Sequence, residues 1–173
     1  MTVHNGMFDN KDTKETKMSN NKPTVMVSGG FDPIHAGHIR YIRAAAEHGD
    51  VIVIANSDEW LFRKKGFVFM DFAARAEILQ SIKGVTVVDS VDDTDGTVCE
   101  AIRRHKPAYF ANGGDRGRSN TPEQSVCEEL GVQMLWSTGG DEKVDSSSDI
   151  VERTRQQKES SIPHRYTSPI SDK

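Results

Sequence analysis

Ser28-Gly29-Gly30-Phe31-Asp32-Pro33-Ile34-His35-Ala36-Gly37-His38 is the stretch on which the reading of this chain turns. Residues 24–27 before it are apolar, and after it Ile39, Ile42 and Ala46 recur at helical spacing. A strand that breaks on glycines and feeds straight into a helix leaves unpaired backbone N–H groups at the helix start. Those groups converge on one point, which suits an anion and above all a phosphate. His35 and His38 stand three positions apart at that point, and Gly37 between them permits close approach to the backbone. The loop is therefore expected to hold a nucleoside triphosphate and to carry the chemistry done on it.

Outward from the loop, the pattern alternates between strand and helix. A helix over 38–48 closes at Gly49, placed as the C′ glycine, and 50–56 (DVIVIAN) is a run of β-branched residues suited to an interior parallel strand. Ser57 to Trp60 begins a helix or turn, and Arg63-Lys64-Lys65-Gly66 reads as a basic loop. Asp71 caps a helix reaching about Lys83, with Phe72, Ala76 and Leu79 as its apolar stripe and Arg75 beside that stripe. A third strand (85–88), an acidic turn (92–95), a helix (97–105) and a fourth strand (108–111) lead into Asn112-Gly113-Gly114-Asp115. Thr121-Pro122 opens a helix to Leu130, residues 132–136 form a fifth strand, and Ser146-Ser147-Ser148 opens the last helix. Five strand–helix alternations predict one α/β domain: a doubly wound, parallel five-stranded sheet with helices on both faces. In such a sheet the ligand sits outside the carboxyl ends of the strands, where the strand order reverses.

The 173 residues suffice for one domain, expected over 23–157, with a disordered leader at 1–22 and a flexible tail at 158–173. The net charge of −4 comprises +1 on residues 1–22, +2 on 151–173 and so −7 on residues 23–150 between. An acidic domain argues against nucleic acid as the partner. No apolar run approaches the length of a membrane span, and no signal peptide stands at the N-terminus, so the expected location is the cytoplasm. Cys99 and Cys127 lack metal or redox spacing, and no third ligand has suitable spacing to make the histidine pair a zinc site. No protein metal site is expected.

The decapeptide over 29–38 resembles the G-x-F-D-x-x-H-x-G-H signature of the cytidylyltransferase-like nucleotidyltransferases, a Rossmann-like superfamily, and the likeness extends over about 24–155. Within it the layout is most similar to heptose-phosphate adenylyltransferases and glycerol-3-phosphate cytidylyltransferases. The resemblance implies transfer of a nucleoside monophosphate, AMP favoured and CMP the alternative, from an NTP to a phosphorylated acceptor such as a sugar or polyol phosphate, with release of pyrophosphate. It assigns His35, His38 and Lys65 to catalysis, with Lys64 close behind Lys65. It assigns Gly29, Gly30, Phe31, Asp32, Gly37, Gly114, Asp115, Ser146, Ser147 and Ser148, with both histidines, to the nucleotide, and Arg75 to the acceptor phosphate. Mg²⁺ is the implied cofactor, bridging phosphates with few protein ligands, and a homodimer is among the assemblies implied. Gly30 departs from the Thr, Val or Cys of most members, and Ser148 replaces the usual Thr. A non-catalytic nucleotide-binding module on the same fold is the alternative of another class.

Overall fold

The computed structural model describes residues 22–113, 121–140 and 146–159. Strand β1 (Thr24–Gly29) leads through the histidine loop to helix α1 (Ala36–Ala46) and strand β2 (Asp50–Ala55). Helices α2 (Asp58–Lys65) and α3 (Phe72–Gln80) precede β3 (Val85–Asp89). Then α4 (Cys99–His105), β4 (Tyr109–Gly113), α5 (Pro122–Leu130), β5 (Gln133–Thr138) and α6 (Ser147–Glu159) complete the chain.

All five strands are parallel, in the order β3-β2-β1-β4-β5. This is the doubly wound sheet expected. Side chains on a strand alternate between faces, so β1 sends Val25 and Val27 to one core and Met26 to the other. Tyr41, Leu79, Val51 and Val53 share the first core; Ile52, Ile102, Phe110 and Val126 share the second. Strand β2 has every residue after Asp50 buried, as an interior parallel strand must. Strands β1 and β2 run in flush register from Thr24↔Asp50 to Gly29↔Ala55, so their carboxyl ends stop side by side.

Several boundaries differ from expectation. Helix α1 ends at Ala46 with Glu47 as C-cap, so Gly49 lies one position beyond the C′ site. Arg63, Lys64 and Lys65 form the last turn of α2, not a loop; Ser57 caps its start and Gly66 (φ 80°) its end. Cationic side chains there complement the negative pole of the helix. Helix α3 stops at Gln80, three residues early, and α4 starts at Cys99. The leader, all but its last residue, and nearly all of the tail lie outside the described residues, as do Gly114 and Asp115. Among the described residues, no helix is long and apolar enough to cross a membrane.

Candidate functional site

The chain builds β1, β2 and β3 in one direction, then returns to place β4 on the other side of β1. The strand order reverses between β1 and β4, and the crevice outside their carboxyl ends is the ligand position for such sheets. The histidine loop leaves β1 at that edge. The serine segment reaches the same place from far along the chain: Ser147 Oγ donates to the Pro33 carbonyl at 3.0 Å. Ser146 is the N-cap of α6, its Oγ accepting from Asp149 N (3.1 Å) and its carbonyl from Ile150 N (3.0 Å). The structure thus brings the two halves of the expected triphosphate site together, with Ser148 exposed one residue further on.

The histidines are held by the backbone of their own loop. His35 caps α1, its Nδ1 accepting from Gly37 N at 3.1 Å. His38 Nδ1 accepts in return from His35 N at 3.3 Å. A neutral imidazole that accepts at Nδ1 carries its proton at Nε2, so both rings are Nε2–H donors. The rings stack with centroids 3.8 Å apart, and Phe31 meets His38 edge-on at 5.0 Å. Burial, then repulsion from His35 and Lys65, pushes the His38 pKa down to about 3. At neutral pH His38 is an uncharged donor.

Gly37 has a second role that the sequence did not show. A Cβ there would lie 2.9 Å from His35 Cε1 and 3.0 Å from its Nδ1. The His35 ring itself folds over residue 37. Gly37→Ala should push that ring off its cap and cost about 1 kcal/mol of stability. Turnover should fall with it, since a displacement near 1 Å at a reacting group costs about a hundredfold. A thermal melt and a steady-state assay check both effects.

The loop is braced from behind by residues whose expected roles change. Arg75 has no exposed surface. Its Nε donates to the Met70 carbonyl (3.1 Å), one terminal nitrogen to the carbonyls of Gly30 (2.7 Å) and Asn56 (2.9 Å), and the other to Asp58 Oδ1 (2.6 Å). Four of its five N–H groups are so engaged. Arg75 therefore clamps the ends of β1 and β2 and does not reach an acceptor phosphate. Asp32 is likewise fully buried, its carboxylate accepting from Phe69 N (2.9 Å) and Met70 N (2.7 Å). It latches the 67–70 segment to the loop instead of presenting its side chain to a nucleotide. The Phe31 ring is buried too, packed beneath Gly29, where a Cβ would meet it at 3.2 Å. Any nucleotide contact from Phe31 is left to its backbone.

Lys65 and Lys64 separate clearly. Lys65 Nζ donates to the Asp32 carbonyl, which brings it to the histidine loop. Burial lowers its pKa; Asp32 opposes the shift, while Lys64 and Arg75 add to it. Lys64 instead lies over the Trp60 ring, 4.4 Å from its centroid. Gly30 makes room for this wall: a Cβ there would come within 2.8 Å of Leu61 and 3.5 Å of Trp60.

Two residues escaped the sequence reading. Asp93, 3% exposed, accepts from Asn56 Nδ2 (3.0 Å), Ser57 N (2.8 Å) and Ser57 Oγ (2.7 Å), fixing the end of β2. Nothing in Asp92-Asp93 tells which carboxylate turns inward. Asn112, the last residue but one of β4, lies beside the switch point, buried, with its side-chain nitrogen unpartnered among the described residues. Its only sequence signal was its place in Asn-Gly-Gly-Asp, which also suits a turn.

The profile of the family described as Cytidylyltransferase-like matches residues 26–153. The chain belongs to that family of nucleotidyltransferases. Among similar proteins, the Bifunctional protein HldE of Geobacter metallireducens is 31% identical over 142 residues, covering 80% of this chain and 28% of that protein. The FAD synthase of Pyrococcus horikoshii is 40% identical over 115 residues, covering 65% of this chain and 72% of the other. The chain thus spans about a quarter of the length of the bifunctional relatives and most of the length of the FAD synthase. A lipopolysaccharide core biosynthesis protein from Thermoplasma volcanium superposes with a TM-score of 0.55 at 25% identity, over 66% of this chain and 93% of that one. For a cytidylyltransferase-like domain the cofactor question is Mg²⁺. Among the described residues no three His, Cys, Asp or Glu side chains converge as a metal cage. Both histidines spend the Nδ1 lone pair on a backbone N–H. An ion held chiefly by triphosphate oxygens is the form of Mg²⁺ that this donor set fits.

Proposed function

We propose that the chain transfers a nucleoside monophosphate, AMP in preference to CMP, from an NTP to a phosphorylated small molecule and releases pyrophosphate. The observation that carries this reading is the pair of neutral Nε2–H donors hydrogen-bonded into one loop, with the α6 start fastened to that loop through Ser147 and Pro33. Two uncharged donors fixed in place stabilise charge that develops on phosphate oxygens without reorganising as it does so. No protein nucleophile is required. An acceptor phosphate oxygen forms the new bond to the α-phosphorus, the bond to the β-phosphate oxygen breaks, and pyrophosphate leaves with that electron pair; charge and protons balance.

His35 and His38 donate to the α-phosphate and the bridging oxygen, and Lys65 and the start of α6 hold the β- and γ-phosphates; bound Mg²⁺ would supply further neutralisation of the triphosphate charge. AMP is favoured because an FAD synthase, whose product contains AMP, is among the relatives. Acceptors of the sugar or polyol phosphate class suit the likeness to HldE and to the lipopolysaccharide core protein. The cytoplasm is the location such substrates suit, and a homodimer is the assembly to test for by light scattering.

Thermal shift with ATP, CTP, GTP and UTP in Mg²⁺ should show the largest stabilisation with ATP. A tight nucleotide present at a hundred times its Kd adds about 2.7 kcal/mol. Pyrophosphate release with a panel of sugar and polyol phosphates should follow. Nucleotide binding with no release from any acceptor would favour the non-catalytic module, and preference for CTP would reverse the choice of base.

A further inference from the structure

Among the described residues, two buried side-chain polar atoms have no hydrogen-bond partner, and both belong to one corner of the fold. They are Asn112 Nδ2, near the end of β4, and Thr121 Oγ1, at the start of α5. We infer that this pair reads the nucleobase of the bound NTP: Asn112 donates to a ring nitrogen and the Thr121 hydroxyl accepts from the amino group beside it. The pair therefore admits adenine or cytosine and refuses guanine or uracil. The inference rests on the nucleotidyl-transfer reading above and adds to it a means of choosing the base.

Place comes first. Ala111 belongs to the core that α1 covers with Ile42 and Ala45, and a Cβ on Gly113 would meet the Tyr41 ring of α1 at 3.6 Å. Phe110 belongs to the opposite core, with Val126 and Cys127 of α5. Strand residues alternate between faces, so Asn112 goes to the α5 side. Strands β4 and β5 are parallel, so α5 between them must run back along the sheet and begin at its carboxyl edge. Thr121 thus stands at the same edge and on the same face as Asn112. Because β4 pairs with β1, through Met26↔Phe110, this corner adjoins the switch point. The crevice there has two walls, one where the chain leaves β1 for α1 and one where it leaves β4 for α5. The histidine loop and the Ser147–Pro33 contact occupy the first wall. A nucleotide held there by its phosphates carries its base toward the second.

The two groups are also idle in the fold. A buried N–H without a partner is costly, and native chains keep few of them. Asn112 is 2% exposed. A threonine at the N-cap ordinarily accepts from a backbone N–H of the first turn. Thr121 makes no such bond, although its carbonyl accepts from Gln124 N at 2.9 Å. Its hydroxyl is left over from the helix it begins.

The chemistry of the bases sets the choice. Adenine and cytosine present an unprotonated ring nitrogen beside an amino group; guanine and uracil present a ring N–H beside a carbonyl. A carboxamide nitrogen only donates, whereas a hydroxyl does both. Asn112 Nδ2 facing a ring N–H would leave two donors unpaired, and that mismatch falls on guanine and uracil alone.

Calorimetric titration with ATP, CTP, GTP and UTP in Mg²⁺, and with tripolyphosphate as the probe without a base, tests this. The parent should bind ATP and CTP about tenfold or more tightly than GTP and UTP. Asn112→Leu should weaken ATP about tenfold, leave tripolyphosphate as before and not lower the melting midpoint of the ligand-free protein, since no hydrogen bond is lost. Thr121→Val removes no cap bond and should weaken ATP severalfold at an unchanged midpoint. Asn112→Asp puts an acceptor in place of the donor and should move the ATP-to-GTP affinity ratio about tenfold toward GTP. Repulsion of the triphosphate by the new carboxylate acts on both nucleotides and cancels in that ratio; if the carboxylate unfolds the chain, Asn112→Leu still decides. Equal binding of the four nucleotides by the parent overturns the proposal, as does preference for GTP or UTP. So does Asn112→Leu protein that melts lower with its nucleotide preference intact, or that loses tripolyphosphate as much as ATP. A parent that binds no NTP would instead strike the nucleotidyl-transfer reading, and this inference with it.

Discussion

Arg75→Met should lower the unfolding midpoint by roughly 10 °C. The substitution keeps apolar bulk but leaves the carbonyls of Gly30, Asn56 and Met70 and the carboxylate of Asp58 without the donor that satisfied them. Breaking a buried charge network by removing one partner costs about 3–5 kcal/mol. Arg75→Lys should recover only part of this, because one ammonium cannot serve four acceptors in a plane. Thermal melts of the two variants and the parent decide the matter. An acceptor-binding Arg75 would give the opposite signature: an unchanged midpoint and a raised KM for acceptor.

His38→Ala should reduce turnover about 10²–10³-fold while the fold persists. Stability should fall by about 1–3 kcal/mol, since the losses are one hydrogen bond from a backbone N–H and the ring contacts with His35 and Phe31. Pyrophosphate release and circular dichroism measure the two effects, and near-normal turnover would remove His38 from the mechanism. The pKa of about 3 gives a companion test: in the ligand-free protein the His38 ring protons should not titrate between pH 8 and 5. The linkage to folding has a definite sign. Below pH 6.5 the unfolded chain takes up a proton at this position that the folded one refuses until about pH 3, so stability declines as pH falls through that interval. Above pH 6.5 His38 contributes no pH dependence.

The architecture was legible because parallel strands buried on both faces must be written as apolar, β-branched runs, and Asp50–Ala55 is such a run. The histidine loop was legible because its glycines and histidines lie within eleven consecutive residues. What remained hidden depends on partners remote in sequence. Arg75 stands beside an apolar stripe, and only the folded chain converges residues 30, 56, 58 and 70 on its guanidinium. The inward turn of Asp93 depends in the same way on Asn56 and Ser57, 37 and 36 positions away. The basic run after Trp60 read as a loop because three consecutive cations resemble a solvated turn. As the end of a helix they complement its dipole, and they point to different neighbours: Arg63 to Asp93, Lys64 to Trp60, Lys65 to Asp32.

The hydrogen bond from Ser147 to Pro33 joins positions 114 residues apart. A ribosome adding about 5–20 residues per second delivers the histidine loop several seconds before the helix that completes it. Through that interval β1, β2 and the loop can pair before the α6 start reaches Pro33. If the proposed triphosphate site needs both segments, a nascent chain stalled before α6 holds the sheet without the means to grip nucleotide. NTP-dependent protease resistance would then report the arrival of α6 as well as binding.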